Sequence, residues 1–127
     1  MKTGARSIGP ASLRVRRSNA LPHDMQASTR EIANLEVPAG QQRRGYGTTL
    51  MHKVCREADA AGIVLLLWPA PYGDAGMNLE QLGAWYASEF GFSSIQTEPM
   101  LMARLPDGTP RKLRLLPVVE AVVLRAA

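Results

Sequence analysis

Hydrophobic and polar positions along the 127-residue chain change period several times, and each change predicts an element. In SLRVRRS, residues 12–18, Leu13 and Val15 alternate with Arg14 and Arg16, the period of a half-exposed strand. TREIANLEV, residues 29–37, alternates again. Ile32, Asn34 and Glu36 are expected on one face and Ala33, Leu35 and Val37 on the other, with Pro38 and Gly40 ending the strand. From about Gly45 to Ala61 the period becomes helical: Tyr46, Leu50, Val54, Ala58 and Ala61 form a stripe, with Met51 and Cys55 beside it. His52, Lys53, Arg56, Glu57 and Asp59 take the polar side, and Gly62 stands where a C-terminal cap is needed. IVLLLW, residues 63–68, is continuously apolar, as in a strand covered on both faces.

After a loop over 69–78, Asn78 caps a second predicted helix, 79–90, with Leu79, Leu82, Tyr86 and Phe90 on one face and Trp85 alongside. GFSSIQ and PMLMARL read as further strands. Residues 1–12 are polar and punctuated by Gly and Pro, which predicts a flexible arm. The apolar tail from Arg111 packs as either strand or helix. The order strand, helix, strand, helix, strand predicts one α/β domain over 1–127.

An apolar share of 46% and a charged share of 20% are those of a globular protein. The longest apolar run, Gly62 to Pro71, is far short of the roughly 20 residues of a membrane span. The basic residues near the N-terminus have no apolar run behind them, so no secretory signal is expected. A lone cysteine, Cys55, forms no internal disulfide and suits a reducing compartment, and the expected location is the cytoplasm. The net charge of +4 and a pI near 9.7 point to an anionic partner. Dispersed basic residues and only 6% aromatics argue against a stacking platform for nucleic acid, which remains the third reading.

The stretch QQRRGYGTTLMHKV, residues 41–54, places Gly45 and Gly47 at the start of a helix, where each glycine costs roughly 1 kcal/mol relative to alanine. Two explanations stay open. One is a tight turn that starts the helix. The other is a nest of unpaired N–H groups, at the positive end of the helix dipole and beside Arg43 and Arg44, for a phosphate. No GxxxxGK[ST] occurs, and Leu50 breaks a GxGxxG, so the familiar nucleotide loops are excluded.

Gln42-Arg43-Arg44-Gly45-Tyr46-Gly47 resembles motif A of the GNAT N-acetyltransferases, the Q/R-x-x-G-x-G/A turn that holds the pyrophosphate of acetyl-coenzyme A. AWYASEFGF, residues 84–92, looks like that family's motif B, and the resemblance covers about residues 29–105. It implies a mixed, mostly antiparallel central sheet flanked by helices, with a shortened N-terminal part. The family has two strands and two helices before the motif A strand, where only about 28 residues stand here. It also implies acetyl-coenzyme A as co-substrate, with the N–H groups from Arg43 to Thr48 on the pyrophosphate and the backbone of Leu35 and Val37 along the pantetheine arm.

By the same resemblance, Tyr86 matches the tyrosine that protonates the departing thiolate. Gly91 follows it by five residues, one more than is usual, and Ala87 takes the usual place. EIANLEVPAGQQRRGYGTTLMH is similar to the general-control class of histone acetyltransferases, and Glu31, fourteen residues before Gly45, matches that class's strand base. A partly buried strand carboxylate suits a base near neutrality. Glu36 is the rival, on the opposite face by strand alternation, and a water chain is the third option.

Cys55, on the apolar side of a helix, reads as core, and His23 and His52 as surface histidines. Tyr72 and Asp74 lie in a loop that either contacts the amine or is a plain turn. No pair of His, Cys or acidic residues has metal-site spacing, so no metal is expected. The expected activity is acetyl transfer to a primary amine of a small molecule or peptide, by direct attack in a ternary complex. A non-catalytic acyl-coenzyme A-binding module is the alternative. For the short N-terminal part, an enzyme with an open cleft and a homodimer, contacting through the tail beyond Pro117 and completing the acceptor pocket, are the two catalytic alternatives.

Overall fold

In the computed structural model, which describes residues 1–18, 26–38, 40, 45–70 and 77–106, strands and helices alternate after an initial hairpin. The elements are β1 (Gly4–Ile8), β2 (Ala11–Arg16), β3 (Thr29–Glu36), α1 (Tyr46–Ala61), β4 (Val64–Leu67), α2 (Leu79–Phe90), β5 (Ser93–Thr97) and β6 (Met100–Arg104). The six strands form one sheet in the order β1-β2-β3-β4-β6-β5, and only the central pair β3–β4 is parallel. The protein is thus a mixed α/β fold on a mostly antiparallel sheet, as expected.

Local signals set the helix limits. Gly62 and Gly91 take the left-handed conformation that ends a helix, at φ 67 and 78. Asn78 and Gln81 form a reciprocal capping box at the start of α2. Both helices pack against one face of the sheet. Leu50, Met51, Val54, Cys55 and Ala58 of α1 join Tyr86 and Phe90 of α2 over Leu13, Val15, Ile32, Leu65, Leu67 and Met102. On the other face Leu66, Leu101 and Ala103 are also buried, so β4 is covered on both sides as its unbroken apolar run predicts.

The stretch 1–12 is not the flexible arm expected from its polarity. β1 pairs with β2 through a two-residue turn, Gly9–Pro10, and Ala11 is fully buried. Gly9 sits at φ +54 under the ring of Tyr46, where a Cβ would come within 2.8 Å of Cε1. Arg6 ties β1 to α1: its Nε and Nη2 donate to Glu57 Oε2 and Oε1 at 3.1 and 2.7 Å. The strand's partners are its ladder with β2 and this ion pair, which a local hydrophobic pattern does not record.

Hydrogen bonding from Arg6 holds the Glu57 carboxyl below its ordinary range. The folded value is depressed, so the stability is present above the unfolded carboxyl range and lost as pH falls through the folded one. Thermal unfolding followed from neutral pH to below about 4 should therefore show a shallower acid decline in Arg6→Gln than in the parent protein. Parallel declines would mean that the pair contributes nothing.

Candidate functional site

Strand β3 carries an extra residue. Ser12 of β2 faces Glu36 and Arg14 faces Ala33, so Leu13 stands opposite both Asn34 and Leu35. Asn34 absorbs the insertion at φ 57, a left-handed conformation that asparagine tolerates better than most residues. The bulge reverses the alternation beyond it. Ile32 shares the helix-facing side with Leu35 and Val37, not with Asn34 and Glu36. Glu36, paired with Ser12, lies on the same face as Glu31, paired with Arg16. The expectation that the two glutamates oppose each other is overturned, because strict alternation assumes an unbroken ladder. Neither glutamate lines the pocket described next; Glu36 is exposed, and Glu31 is 6% exposed.

The parallel ladder between β3 and β4 stops at Ile32–Leu67. Beyond that pair lies a cavity of about 160 Å³, lined by Ala33, Asn34 and Leu35 with Leu67, Trp68 and Tyr86. Arg16 reaches the same cavity from β2. Two residues past Leu35, Val37 abuts the start of α1: a Cβ on Gly47 would lie 3.3 Å from Val37 Cγ2. The cavity and the glycine turn therefore lie along one strand.

The two helix starts contrast. α2 has its capping box and Glu80 in the first turn, whereas α1 has no side-chain cap and no acidic residue there. Gly45 caps α1 at φ 82 with nothing within 4 Å of a Cβ position, and its carbonyl accepts from Thr49 N–H at 2.9 Å. The N–H groups of Tyr46, Gly47 and Thr48 precede the first intrahelical donor, so they are the ones aimed at an incoming group. Gln42, Arg43 and Arg44 lie outside the described residues, as do His23, Tyr72, Asp74 and the tail beyond Pro106.

Glu31 is held on both oxygens. Arg16 Nε donates to Oε2, and Trp68 Nε1 donates to Oε1 at 2.7 Å. Reaching an acceptor amine would require this carboxylate to exchange one of those bonds. Tyr86 is buried at 7% exposure, with its ring centroid 4.9 Å from Trp85 and 5.8 Å from Phe92. Ala87, at the usual family position, is exposed, so it is the offset residue Tyr86 that lines the cavity.

Cys55 is core: burial pushes its thiol up to about 11, which disfavours a nucleophilic thiolate. His52 rests on α1 with its ring 4.7 Å from that of Phe90 and its Nε2 3.7 Å from Glu89. Among the described residues no group of three or more His, Cys, Asp or Glu could hold a metal ion, and no helix is long and apolar enough to cross a membrane. Arg16, Trp68 and Asn34 were not singled out as site residues by the sequence. Their signals were faint: an arginine on the exposed side of a strand, an indole closing an apolar run, and an asparagine inside a strand.

No family model matches the chain, and no curated protein matches it. Among solved structures it is similar to the crystal structure of the anti-CRISPR protein AcrVA5, with a TM-score of 0.58 and 21% identity. The match covers 79% of this chain and 97% of that one, and the likeness is one of fold.

Proposed function

We propose that the protein is an acetyl-coenzyme A-dependent N-acetyltransferase of the GNAT type. The observation that carries this reading is the parting of β3 and β4 past Ile32–Leu67, with a bulge at Asn34 and a bare helix start beside the freed strand. Beyond the last β3–β4 pair, the main-chain N–H and C=O of Leu35 suit an amide-bearing arm such as pantetheine, in line with the pairing that the motif resemblance gives to this strand. The uncapped N-terminus of α1, reached from Val37, suits the pyrophosphate, with N–H groups of Gly45, Tyr46, Gly47 and Thr48 as donors and Arg43 and Arg44 as added charge. The motif resemblance over residues 42–47 and 84–92 agrees with that assignment.

In the reaction the amine nitrogen of the acceptor forms a bond to the thioester carbonyl carbon. The carbon–sulfur bond breaks, the nitrogen gives up one proton, and the sulfur takes one. Tyr86, in the wall of the cavity, is the donor to sulfur. The nitrogen's proton goes to Glu31, released from one of its two hydrogen bonds, or to water. Tyr86 lines the cavity, and Glu31 stands behind its wall, bonded to the lining residues Arg16 and Trp68. Cys55 takes no part.

Acetyl-coenzyme A should raise the melting temperature of the intact chain, since a ligand that binds only the folded state at about 100 times its Kd adds roughly 2.7 kcal/mol. Gly47→Ala is the companion variant. It gains roughly 1 kcal/mol of helix propensity but sets a methyl 3.3 Å from Val37 and beside the N–H groups, so it should keep its fold and lose most of the ligand-induced shift. No shift in the parent protein at saturating ligand would end the acetyltransferase reading. A shift without release of free thiol from any amine panel would leave an acyl-coenzyme A-binding module.

A further inference from the structure

We propose that the acceptor carries a carboxylate close to its amine, received by the guanidinium of Arg16 against the indole of Trp68. The inference rests on the acetyltransferase reading of the same cavity. It begins from how the arginines are used. Arg6 and Arg104 commit both Nε and their Nη groups, each making a forked contact with one acidic side chain and further bonds to main-chain carbonyls. Arg16 gives only Nε to Glu31, while its side chain is 58% exposed and lines the cavity. Its two Nη groups form a planar fork matched to the two oxygens of a carboxylate.

Glu31 fixes that fork. It is buried, and its two oxygens fasten two exposed groups at the cavity, Arg16 through Nε and Trp68 through Nε1. Replacing such a pair by apolar residues is often neutral or stabilising, so stability alone gives no reason for it. What the arrangement does supply is orientation: a charged fork and an indole 37% exposed, both locked by one carboxylate. Arg16 and Trp68 both line the cavity of about 160 Å³. An amino acid or a similar amine with a neighbouring carboxylate fits this combination; a bare alkylamine leaves the fork unused. Glu31 is in this view a positioning residue first.

Calorimetric titration with the product analogue N-acetylglycine and its neutral amide, N-acetylglycinamide, tests the assignment without turnover. The parent protein should bind the carboxylate tighter by about tenfold or more, and Arg16→Gln should bring the two within about twofold. Arg16→Lys, which keeps the charge and loses the fork, should recover only part of the preference. Equal binding of the two analogues, failure of N-acetylglycine to bind, or a preference that survives in Arg16→Gln would each overturn it. So would tighter binding of N-acetyl-O-phosphoethanolamine, which would make the partner a phosphate. Melting shifts with acetyl-coenzyme A on the same samples separate the two levels. A shift without carboxylate preference ends this inference alone, and no shift ends the reading beneath it.

Discussion

Replacing Arg104 by leucine is expected to destabilise the protein by about 2–4 kcal/mol, far more than a typical arginine substitution. Arg104 is 6% exposed at the end of β6 and holds both helices to the sheet. Its Nε donates to the Phe90 carbonyl at the end of α2, at 2.6 Å, and its Nη1 and Nη2 donate to Asp59 of α1, at 2.7 and 3.2 Å. Removing it takes away the donor to a helix-terminal carbonyl and breaks a forked ion pair. The expected loss falls below the ~3–5 kcal/mol of a fully buried pair because the Asp59 side chain, 38% exposed, can return to water. Chemical denaturation reads this as a lower midpoint at unchanged slope. A midpoint within error of the parent would show that solvent replaces these contacts at no cost.

On the acetyltransferase proposal, changing Tyr86 to phenylalanine is expected to lower turnover by about 10²–10⁴-fold while leaving acetyl-coenzyme A affinity intact. The ring stays packed against Trp85, Phe90 and Phe92, so the fold should lose only about 1 kcal/mol with the hydroxyl. Moving the hydroxyl to the family's usual spacing should not restore activity. In Tyr86→Phe combined with Ala87→Tyr the new side chain starts from an exposed position on α2, away from the cavity. Unchanged turnover in Tyr86→Phe would leave the tyrosine as a packing residue and hand the proton to solvent.

The two experiments fail in different ways. Arg104 acts through the placement of α1 and α2, so its loss should depress stability and every ligand response together. Tyr86 acts at the cavity wall, so its loss should separate kcat from binding.

How much of this was legible in the sequence differs from element to element. The limits of α2 could be read directly, because Asn78, Gln81 and Gly91 act on backbone groups within a turn of themselves. The same holds for the end of α1 at Gly62 and for the burial of Leu65, Leu66 and Leu67. Alternation marks β3 as a strand but predicts the wrong faces past Ala33. A bulge depends on which neighbouring strand a residue pairs with, and Asn34 looks like any polar position of an alternating strand until Leu13 is set opposite it. β1 was missed for a related reason: with Ile8 as its only large apolar side chain, it is held by β2 and by Arg6 reaching Glu57.

By itself, then, the sequence determined the helices, the main strands and the glycine turn that opens α1, since caps, periodicity and turn residues are local properties. Only the tertiary structure decided where β3 and β4 part, that Tyr86 and not residue 87 meets the cavity, and that Glu31 fastens Arg16 and Trp68 there. Those depend on residues 15 to 37 positions apart in the chain, such as Arg16 with Glu31 and Glu31 with Trp68. Contacts of that span are fixed by the register of the sheet and the packing of helices upon it, and no stretch of local pattern contains either.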